Sequence, residues 1–388
     1  MAMAGFTPSL VRAAAPGDII NVGVIGTGVR GGQLIGFLNE LPQFRVAAVC
    51  DVLPFRLDEA RELAPASRAS RDYRRMLEDG DVDAVVIATT FSEHTRIALD
   101  ALDAGKHVYC EKTMAKGIDA ALEVAAAAER RPAQVFQTGF QYHSSPLYRR
   151  AAEMIREGDV GDVVAVNCQW NRNGDWRRPV PDAEYERQIN WRMYRAYSSG
   201  LVAELSAHQM DFCNTILGGE VATVQGSGGV DFWKDGRETY DNTHVVCRYR
   251  SGVTATFTSL TANSMDNYRI AVLGSAGSLV LTTRRGWIVP EGVAEAPDGG
   301  VDLVSGASVA YGSQSTWRQS VNRAARPVDA PDTDPTPDAL VDFALAVTEG
   351  KQPASDVRVG ALASIQVQMA LDAMDRETVV HWRAGFDA

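Results

Sequence analysis

Short apolar runs alternate with amphipathic segments over the first third of the chain. The runs lie at residues 20–25, 44–50, 83–88, 107–110 and 133–137, and the helix-like segments between them include residues 32–41, a segment that begins at Pro54, and the Ala-rich residues 117–131. A continuous apolar run such as residues 83–88 is typical of a parallel strand that is covered on both faces. Strands that alternate with helices predict a doubly wound parallel sheet.

The pattern changes after residue 160. Short β-type segments follow one another at residues 163–170, 221–226, 244–249, 253–259, 268–273 and 278–282. Gly, Asn, Asp and Ser residues bound these segments, which favours a largely antiparallel sheet. A helical pattern at residues 204–217 ends at Gly218, which suits a helix C-cap. Residues 295–335 are polar and predict a long excursion, and two helical patterns follow at residues 337–349 and 359–374.

Composition excludes several classes of partner. Asp and Glu number 49 against 38 Lys and Arg, which gives a net charge of −11. This acidity argues against nucleic acid or an anionic membrane as the main partner, since both attract a basic surface. No apolar run approaches the roughly 18 residues of a membrane span. The five cysteines show no C-x-x-C spacing, so we expect neither a zinc site nor a disulfide framework.

The first residues leave the cellular compartment open. They are rich in Ala, and V-R-A-A-A-P at residues 11–16 resembles a signal-peptidase region. The basic start and the longer apolar core of a complete export signal are missing. One interpretation is an export-signal remnant of an exported or periplasmic protein, and the other is a flexible arm of a cytoplasmic one.

A glycine-rich turn directly follows the first predicted strand. It has the pattern G-x-G-x-x-G and consists of Gly26, Thr27, Gly28, Val29, Arg30 and Gly31. Such glycines allow a tight turn and close backbone approach to a pyrophosphate, which the N-terminus of the following helix attracts. Asp51 ends the second strand, where a carboxylate binds the adenosine ribose and repels a 2′-phosphate. We therefore predict NAD rather than NADP as the cofactor, with Arg56 near the adenine.

These patterns predict an α/β protein with two domains. At 388 residues, the chain exceeds what one hydrophobic core usually serves. We predict an export-signal remnant or flexible arm at residues 1–18 and a Rossmann dinucleotide-binding domain at residues 19–140. Residues 141–388 are predicted to form an α+β domain with a large, mostly antiparallel open sheet for substrate binding and oligomerisation. The two C-terminal helices are expected to pack back on the first domain.

Six further motifs lie in order along the chain. They are A-T-T-x-x-x-H at residues 88–94, E-K-T at 111–113, G-F-Q-Y-H-S-S-P at 139–146, G-D-V-G at 158–161, N-W at 190–191 and G-x-x-x-E-x-x-x-H-x-x-D at 200–211. With the glycine-rich turn, they resemble the Gfo/Idh/MocA oxidoreductases over nearly the whole chain. Two residues differ from the usual family pattern, because Thr113 stands where Pro is usual and Glu204 stands where Asp is commoner.

The resemblance implies roles for these residues. Lys112, Glu204 and His208 correspond to the catalytic group of the family. Beyond the glycine-rich turn, the resemblance implies that the cofactor is also contacted by Ala88, Thr89, Thr90, His94, Glu111, Lys112 and Gln141.

The chemistry of these residue types agrees with that assignment. Glu204, His208 and Asp211 have the spacing of one helix face. A histidine suits removal of a hydroxyl proton near neutral pH, a carboxylate beside it orients it, and Lys112 can stabilise the developing alkoxide. Carboxylate and histidine at this spacing also suit a metal. We predict no metal, because no third His or Cys lies naturally nearby.

A dense aromatic and polar insert at residues 170–178 follows the first strand of the second domain. Its composition suits a polyhydroxylated ring, and it equally suits a loop that contacts another subunit. We expect substrate contacts from Lys112, Tyr142, His143, Trp170, Arg172, Trp176, Trp191, Arg192 and His208.

Three functions are compatible with these features. The first is an NAD-dependent dehydrogenase for a secondary hydroxyl of a sugar, glycoside or cyclitol. The second is a redox-neutral enzyme that retains NAD while it cleaves or epimerises a glycoside, and the third is a non-catalytic NAD-binding regulator. The Lys112 and His208 pair speaks against the regulator. We also expect a homodimer or homotetramer that assembles through the open face of the second sheet.

Overall fold

The first sheet of the protein has six parallel strands. The computed structural model describes residues 19–219, 221–291, 300–301, 308–309 and 325–386. The strands are β1 (Ile20–Ile25), β2 (Phe44–Cys50), β3 (Arg68–Ser70), β4 (Ala84–Ile87), β5 (His107–Cys110) and β6 (Phe136–Thr138). Their order is β3-β2-β1-β4-β5-β6, so β2 and β4 flank β1. The predicted doubly wound parallel sheet is confirmed, and the short edge strand β3 was not predicted.

Helices cover both faces of this sheet. They are α1 (Val29–Glu40), α2 (Pro54–Leu63), α3 (Tyr73–Leu77), α4 (Phe91–Asp103) and α5 (Ile118–Glu129). α2 begins at Pro54, whose fixed φ suits the first position of a helix. Apolar side chains of α1 pack on one face of the sheet, and those of α4 and α5 pack on the other. Burial on both faces explains why the central strands are apolar throughout.

The second sheet has nine strands and is mostly antiparallel. They are β7 (Val163–Asn171), β8 (Val221–Gly229), β9 (Asn242–Tyr249), β10 (Thr254–Leu260), β11 (Tyr268–Gly274), β12 (Gly277–Leu281), β13 (Gly286–Pro290), β16 (Arg326–Pro327) and β17 (Val380–His381), and a separate pair is formed by β14 (Gly300–Val301) and β15 (Ser308–Val309). The order is β16-β13-β12-β11-β7-β10-β9-β8-β17, and only β7 and β10 pair in parallel among these described strands. The predicted open, mostly antiparallel sheet is confirmed. The sequence pattern did not predict β13, β16 and β17.

The second half of the chain also contains helices. They are α6 (Pro146–Arg156), α7 (Glu186–Ile189), a π-helix (Val202–Ser206) and α8 (Ala207–Leu217), with single 3₁₀ turns at Gln141–Ser144, Ala183–Tyr185 and Trp191–Met193. α8 ends at Gly218, which has φ +84° and therefore serves as the predicted left-handed cap. The hydroxyl of Tyr249 on β9 donates to Asn214 Oδ1 on α8 at 2.8 Å, which ties this helix to the sheet.

Two C-terminal helices, α9 (Pro335–Glu349) and α10 (Val357–Asp375), join the two halves. On α9, Phe343 is fully buried and its ring centroid lies 5.8 Å from that of Tyr109 on β5. On α10, the Gln366 amide lies 3.3 Å from the Tyr249 hydroxyl of the second sheet. The carboxylate of Asp356 accepts the backbone N–H groups of Arg358 and Val359 and so caps α10.

Some predictions fall outside the described part of the chain. Residues 1–18 do, and so does most of the predicted excursion at residues 295–335. The domain boundaries and the export interpretation stay predictions. Among the helices that the structure describes, none has the length and apolar character needed to cross a membrane.

Candidate active site

The glycine-rich turn lies at the carboxyl end of β1, between β2 and β4. Gly26 has φ +86°, and a Cβ there would lie 2.7 Å from the Ala88 carbonyl oxygen. A Cβ at Gly31 would lie 1.9 Å from the Gly26 carbonyl oxygen, so α1 approaches the turn too closely for any side chain. A Cβ at Gly28 would meet nothing within 4 Å. The first and last glycines therefore shape the turn, and Gly28 leaves room above it.

No side chain caps the N-terminus of α1. N–H groups in the first turn of a helix lack helical partners and attract phosphate. The Arg30 side chain, in the same turn, has a buried Nη2 without a hydrogen-bond partner. Uncapped N–H groups, an orphaned guanidinium nitrogen and the room above Gly28 fit a dinucleotide diphosphate.

Asp51 ends β2 and lies beside the turn. Its Oδ2 accepts the backbone N–H of Thr27 at 2.8 Å, and its Oδ1 accepts that of Leu53 at 2.9 Å. The Thr27 hydroxyl also lies 3.3 Å from Oδ2, so Oδ1, which keeps a second lone pair, is the oxygen better placed to accept a ribose hydroxyl. Arg56 donates to Glu59 at 2.8 Å on α2, and its contact with adenine stays a prediction.

Arg30 and Glu111 join the glycine-rich turn to the E-K-T segment. Arg30 Nε donates to Glu111 Oε1 at 2.6 Å, and Glu111 is buried. Burial lowers the pKa of Arg30, but the charge and the hydrogen bond of Glu111 outweigh it and raise the pKa. The pair fixes the end of β5 against α1. Gln141, another predicted cofactor contact, has a buried Oε1 without a partner.

His94 holds two backbone segments of the predicted cofactor loop together. It is fully buried; its Nδ1 lies 2.8 Å from the Thr113 carbonyl oxygen and its Nε2 lies 3.3 Å from that of Thr89. Burial lowers the pKa of His94, although its contacts with these two carbonyl groups oppose this effect. The Thr113 that replaces the usual proline is thus held through its carbonyl group. The contact of His94 with the cofactor stays a prediction.

Lys112 reaches from the first domain to the π-helix of the second. Its Nζ donates to the Glu204 carbonyl oxygen at 2.8 Å and to that of Ala203 at 3.3 Å, and it lies 3.8 Å from Glu204 Oε2. Burial lowers the pKa of Lys112, although the charges of Glu204 and Glu111 oppose this effect. Neither carbonyl contact was predicted from the sequence. Side-chain motifs do not reveal that the backbone forms a π-helix at residues 202–206.

Glu204 balances two cations. Besides Lys112, Arg192 Nε lies 3.0 Å from Glu204 Oε1. Burial raises the pKa of the Glu204 carboxyl, but the charges of Arg192 and Lys112 outweigh it and hold this pKa below its ordinary value. The buried carboxylate is therefore ionised and keeps Lys112 in place.

The helix face that was predicted for Glu204, His208 and Asp211 is interrupted. Residues Val202–Ser206 form the π-helix and α8 begins only at Ala207. The predicted helix at residues 204–217 is present, and its first turn is π rather than α. The Glu204 carboxylate pairs with Lys112 and Arg192. The Asp211 carboxylate instead lies 2.9 Å from His143 Nε2.

His208 lies among aromatic rings. Its ring centroid is 5.7 Å from Phe140, 5.3 Å from Tyr142 and 5.7 Å from Trp170, and its Nδ1 is buried without a partner. Burial and the positive charges of Lys112 and Arg30 lower the pKa of His208 well below its usual value. The imidazole is therefore neutral at pH 7.

His143 forms a second pair behind this site. Burial lowers its pKa, but the charge of Asp211 outweighs that effect and raises it. His143 and Asp211 line a cavity of about 300 Å³ together with Tyr142, Tyr148 and Arg149. Tyr142 thus borders both His208 and the cavity, and the substrate contact of His143 stays a prediction.

The predicted substrate contacts between residues 170 and 191 pack against different neighbours. Arg172 lies over the Trp170 ring at 5.3 Å, and Trp191 contacts Phe91 edge to face at 5.0 Å between centroids. Trp176 has φ +65° and packs against the main core. Within the described residues, no group of three His, Cys, Asp or Glu side chains is placed to hold a metal ion.

Two family models match this chain. The oxidoreductase family with an NAD-binding Rossmann fold matches residues 20–140, and the GFO/IDH/MocA C-terminal domain matches residues 148–280. Inositol 2-dehydrogenase 2 of Saccharopolyspora erythraea is 30% identical over 206 residues, which are 53% of this chain and 56% of that protein. Myo-inositol 2-dehydrogenase of Thermotoga maritima is 26% identical over 285 residues, which are 71% of this chain and 76% of that protein.

A solved structure shows the same fold. Levoglucosan dehydrogenase in complex with NADH and levoglucosan has a TM-score of 0.75 and 18% sequence identity, and the match covers 94% of this chain and 99% of that one. The matched models, the uncapped glycine-rich turn and the sheet topology lead to one conclusion. This chain belongs to the Gfo/Idh/MocA family of oxidoreductases and carries the NAD-binding Rossmann fold of that family.

Proposed function

We propose that the protein oxidises a secondary hydroxyl of a sugar, glycoside or cyclitol and transfers the hydride to NAD. The observation that carries this proposal is the contact of Lys112, from the nucleotide domain, with the π-helix that precedes His208 in the second domain. This contact lies at the carboxyl edge of the first sheet, where the reactive end of a dinucleotide is expected. The inositol and levoglucosan dehydrogenases among the similar proteins support this class of substrate.

The residues divide the acid–base chemistry between them. Bound NAD supplies the hydride acceptor. His208, which is neutral at pH 7, accepts the hydroxyl proton, and the ammonium of Lys112 stabilises the oxygen while it gains negative charge. Glu204 positions Lys112 through its ion pair and its carbonyl group. Tyr142, Trp170 and Arg172 border the space beside His208 and are the substrate contacts that we favour.

Cofactor choice is the second part of the proposal. Asp51 is placed to bind the adenosine ribose and would repel a 2′-phosphate, so we propose NAD in preference to NADP. Oδ1 of Asp51, which accepts the Leu53 N–H, keeps a second lone pair for this purpose.

The experiment is a spectrophotometric screen. The purified protein is incubated with NAD and a panel of neutral sugars, glycosides and cyclitols, and the formation of NADH is followed at 340 nm. We expect NADH formation with at least one compound, and a deuterium label at the reacting carbon should appear in the NADH. If no NADH accumulates but the deuterium of the substrate appears in a product, the redox-neutral alternative would be favoured. Absence of any turnover would contradict both.

We also propose that the protein is a homodimer or homotetramer. On β11, β12 and β13 the positions that alternate with buried residues carry Leu273, Val280 and Trp287, which are only partly buried. An apolar stripe on an open sheet favours association. Sedimentation at micromolar concentration should give at least twice the chain mass of 41.9 kDa, and a monomer would contradict the proposal.

A further inference from the structure

Arg172 lies on the side of the second sheet that α8 covers. Cys168, Trp170 and Arg172 alternate at the end of β7, so their side chains point to one face of the sheet. On that face the Cys168 sulfur lies 3.8 Å from the sulfur of Cys213 on α8. The Arg172 backbone N–H donates to the Leu260 carbonyl oxygen at 2.8 Å, so the strand pairing continues through this residue. Arg172 therefore faces the helix-covered side of the sheet and not its open side.

A single aromatic ring connects Arg172 with His208, which lies on α8. The guanidinium carbon of Arg172 is 5.3 Å from the centroid of the Trp170 ring, and the His208 ring centroid is 5.7 Å from that of the same ring. The guanidinium and the imidazole are therefore at most about 11 Å apart. A hydrogen bond at each end takes up about 3 Å, which leaves up to about 5 Å between them. This space suits one sugar ring.

Cations outnumber carboxylates around this space. Glu204 is shared by Lys112 at 3.8 Å and Arg192 at 3.0 Å, so these three side chains already carry one excess positive charge. Arg172 adds another, because it forms no ion pair with any residue that the structure describes. Partial loss of hydration lowers the pKa of Arg172, and the charge of Glu204 opposes this effect. Arg172 is also exposed, so a ligand can reach it.

The acidic side chains close to Arg172 along the chain, and those that contact its segment, have other partners. The Asp175 carboxylate accepts the backbone N–H of Arg177 at 3.0 Å. Glu186 and Asp235 both form ion pairs with the guanidinium of Arg177. The charge of Arg172 is therefore available to a ligand.

A carboxylate is the anion that suits this arginine. The guanidinium presents its N–H groups in a planar fork that matches two carboxylate oxygens. Lys112 acts at the reacting hydroxyl oxygen, so Arg172 alone provides the charge for a second group. A carboxylate carries one negative charge, whereas a phosphate monoester carries nearly two at pH 7. One carboxylate on the sugar ring therefore balances the charge of Arg172.

We propose that the preferred substrate is a sugar acid, whose carboxylate binds Arg172 while a ring hydroxyl lies between Lys112 and His208. The carbon that bears this hydroxyl transfers a hydride to NAD, its oxygen gives a proton to His208, and a carbonyl group forms. The carboxylate is unchanged. This inference rests on the proposed oxidation and narrows its substrate class. Neutral sugars lack the ion pair with Arg172, so they are poorer substrates.

Matched pairs of sugars test the role of the carboxylate. Glucose, galactose and mannose are compared with the corresponding uronic acids, and NADH formation is measured. In at least one pair, the uronate should have a kcat/KM about 10- to 100-fold above that of the neutral sugar, mainly through KM, as expected of a charged hydrogen bond. Added salt should reduce this advantage, since Arg172 is exposed. Absence of a preference for the uronate in every pair that is oxidised would overturn the proposal.

Substitution tests the assignment to Arg172. Arg172→Gln should lower kcat/KM for the preferred uronate by about 10- to 100-fold and change that for the neutral sugar by less than about twofold. The matched control is Arg187→Gln, which removes an equal charge from an exposed arginine that pairs with Glu238. This control should keep the wild-type preference. Equal losses on the two sugars, or equal losses in the two variants, would overturn the assignment.

Binding separates this inference from the proposed oxidation. If none of the pairs is oxidised, calorimetry with the NADH-loaded protein compares the same sugars as ligands. Tighter binding of a uronate than of its neutral partner, lost in Arg172→Gln, would support the carboxylate site even though the oxidation fails. Absence of that preference would overturn the inference.

Discussion

The two halves of the candidate site are built in different ways. The glycine-rich turn is local, because the backbone of six consecutive residues and one aspartate at the end of the next strand produce its shape. The acid–base half is assembled from distant parts of the chain, since Lys112 is held by carbonyl groups about 90 residues later. Its geometry also depends on a π-helix. A local half can be recognised from its residues, whereas an assembled half requires the packing of two domains.

The largest effects should come from the assembled half. Lys112→Ala and His208→Ala should each lower kcat by about 10²–10⁴-fold, because each removes one partner of the proton transfer. Affinity for NAD should stay the same, and Glu204→Gln should lose less because it only positions Lys112. Steady-state kinetics on the substrate found in the screen measures these changes.

Matched controls exist for both variants. Lys116→Ala removes a lysine four residues further along, and His244→Ala removes an exposed histidine of β9. Both should keep normal turnover. Near-full activity in His208→Ala would show that the proton goes elsewhere.

Substitutions in the glycine-rich turn should destabilise the protein through steric overlap. Gly31→Ala should lower the free energy of unfolding by about 3 kcal/mol, because the added methyl group would overlap the Gly26 carbonyl oxygen. Gly36→Ala, in the same helix and with nothing within 4 Å of its Cβ, should instead stabilise by about 0.8 kcal/mol. Urea denaturation of both variants gives the comparison, and equal behaviour would refute the close approach of α1.

The ribose contact should have a somewhat smaller effect. Asp51→Ala should weaken NAD binding by about 1–3 kcal/mol, since it removes a charged acceptor of ribose hydroxyls. NADP binding should change little or improve. Calorimetry with both cofactors measures the difference, with Asp58→Ala as a control on the exposed side of α2. Unchanged discrimination in Asp51→Ala would mean that another residue selects the cofactor.

The smallest effect should be a displaced pH profile. His208 must be neutral to accept a proton, so activity is lost as the pH falls through its pKa. Burial, Lys112 and Arg30 lower this pKa, so the acidic limb of kcat/KM should lie below pH 6.5. Lys112 must be charged, and its lowered pKa should place the basic limb below pH 10.5. An acidic limb at or above pH 6.5 would contradict the environment described for His208.

Sequence reasoning was most successful where one residue type satisfies a local requirement. Gly26 and Gly218 adopt positive φ, and Pro54 begins a helix. Such requirements can be read from single positions. The strands of the two sheets were also recognisable, because burial on one face or on both leaves a clear apolar pattern.

Contacts between distant segments were not predictable in the same way. The ion pairs of Glu204 with Arg192 and of Asp211 with His143 depend on how separate segments of the second domain pack against one another. A π-turn has no sequence signature of its own. The short strands β16 and β17 contain two residues each. Their pairing is fixed by neighbouring strands and not by their own composition.

The ion pair between Arg30 and Glu111 has a thermodynamic consequence. It connects the turn that receives the cofactor with the segment that carries Lys112, so the two sites share one partly buried charge pair. A ligand that binds Arg30 changes the electrostatic environment of Glu111, and so changes the free energy of the segment that contains Lys112. Linkage makes this coupling reciprocal. A substrate that engages Lys112 must therefore change the affinity for the cofactor by the same factor as the cofactor changes the affinity for the substrate.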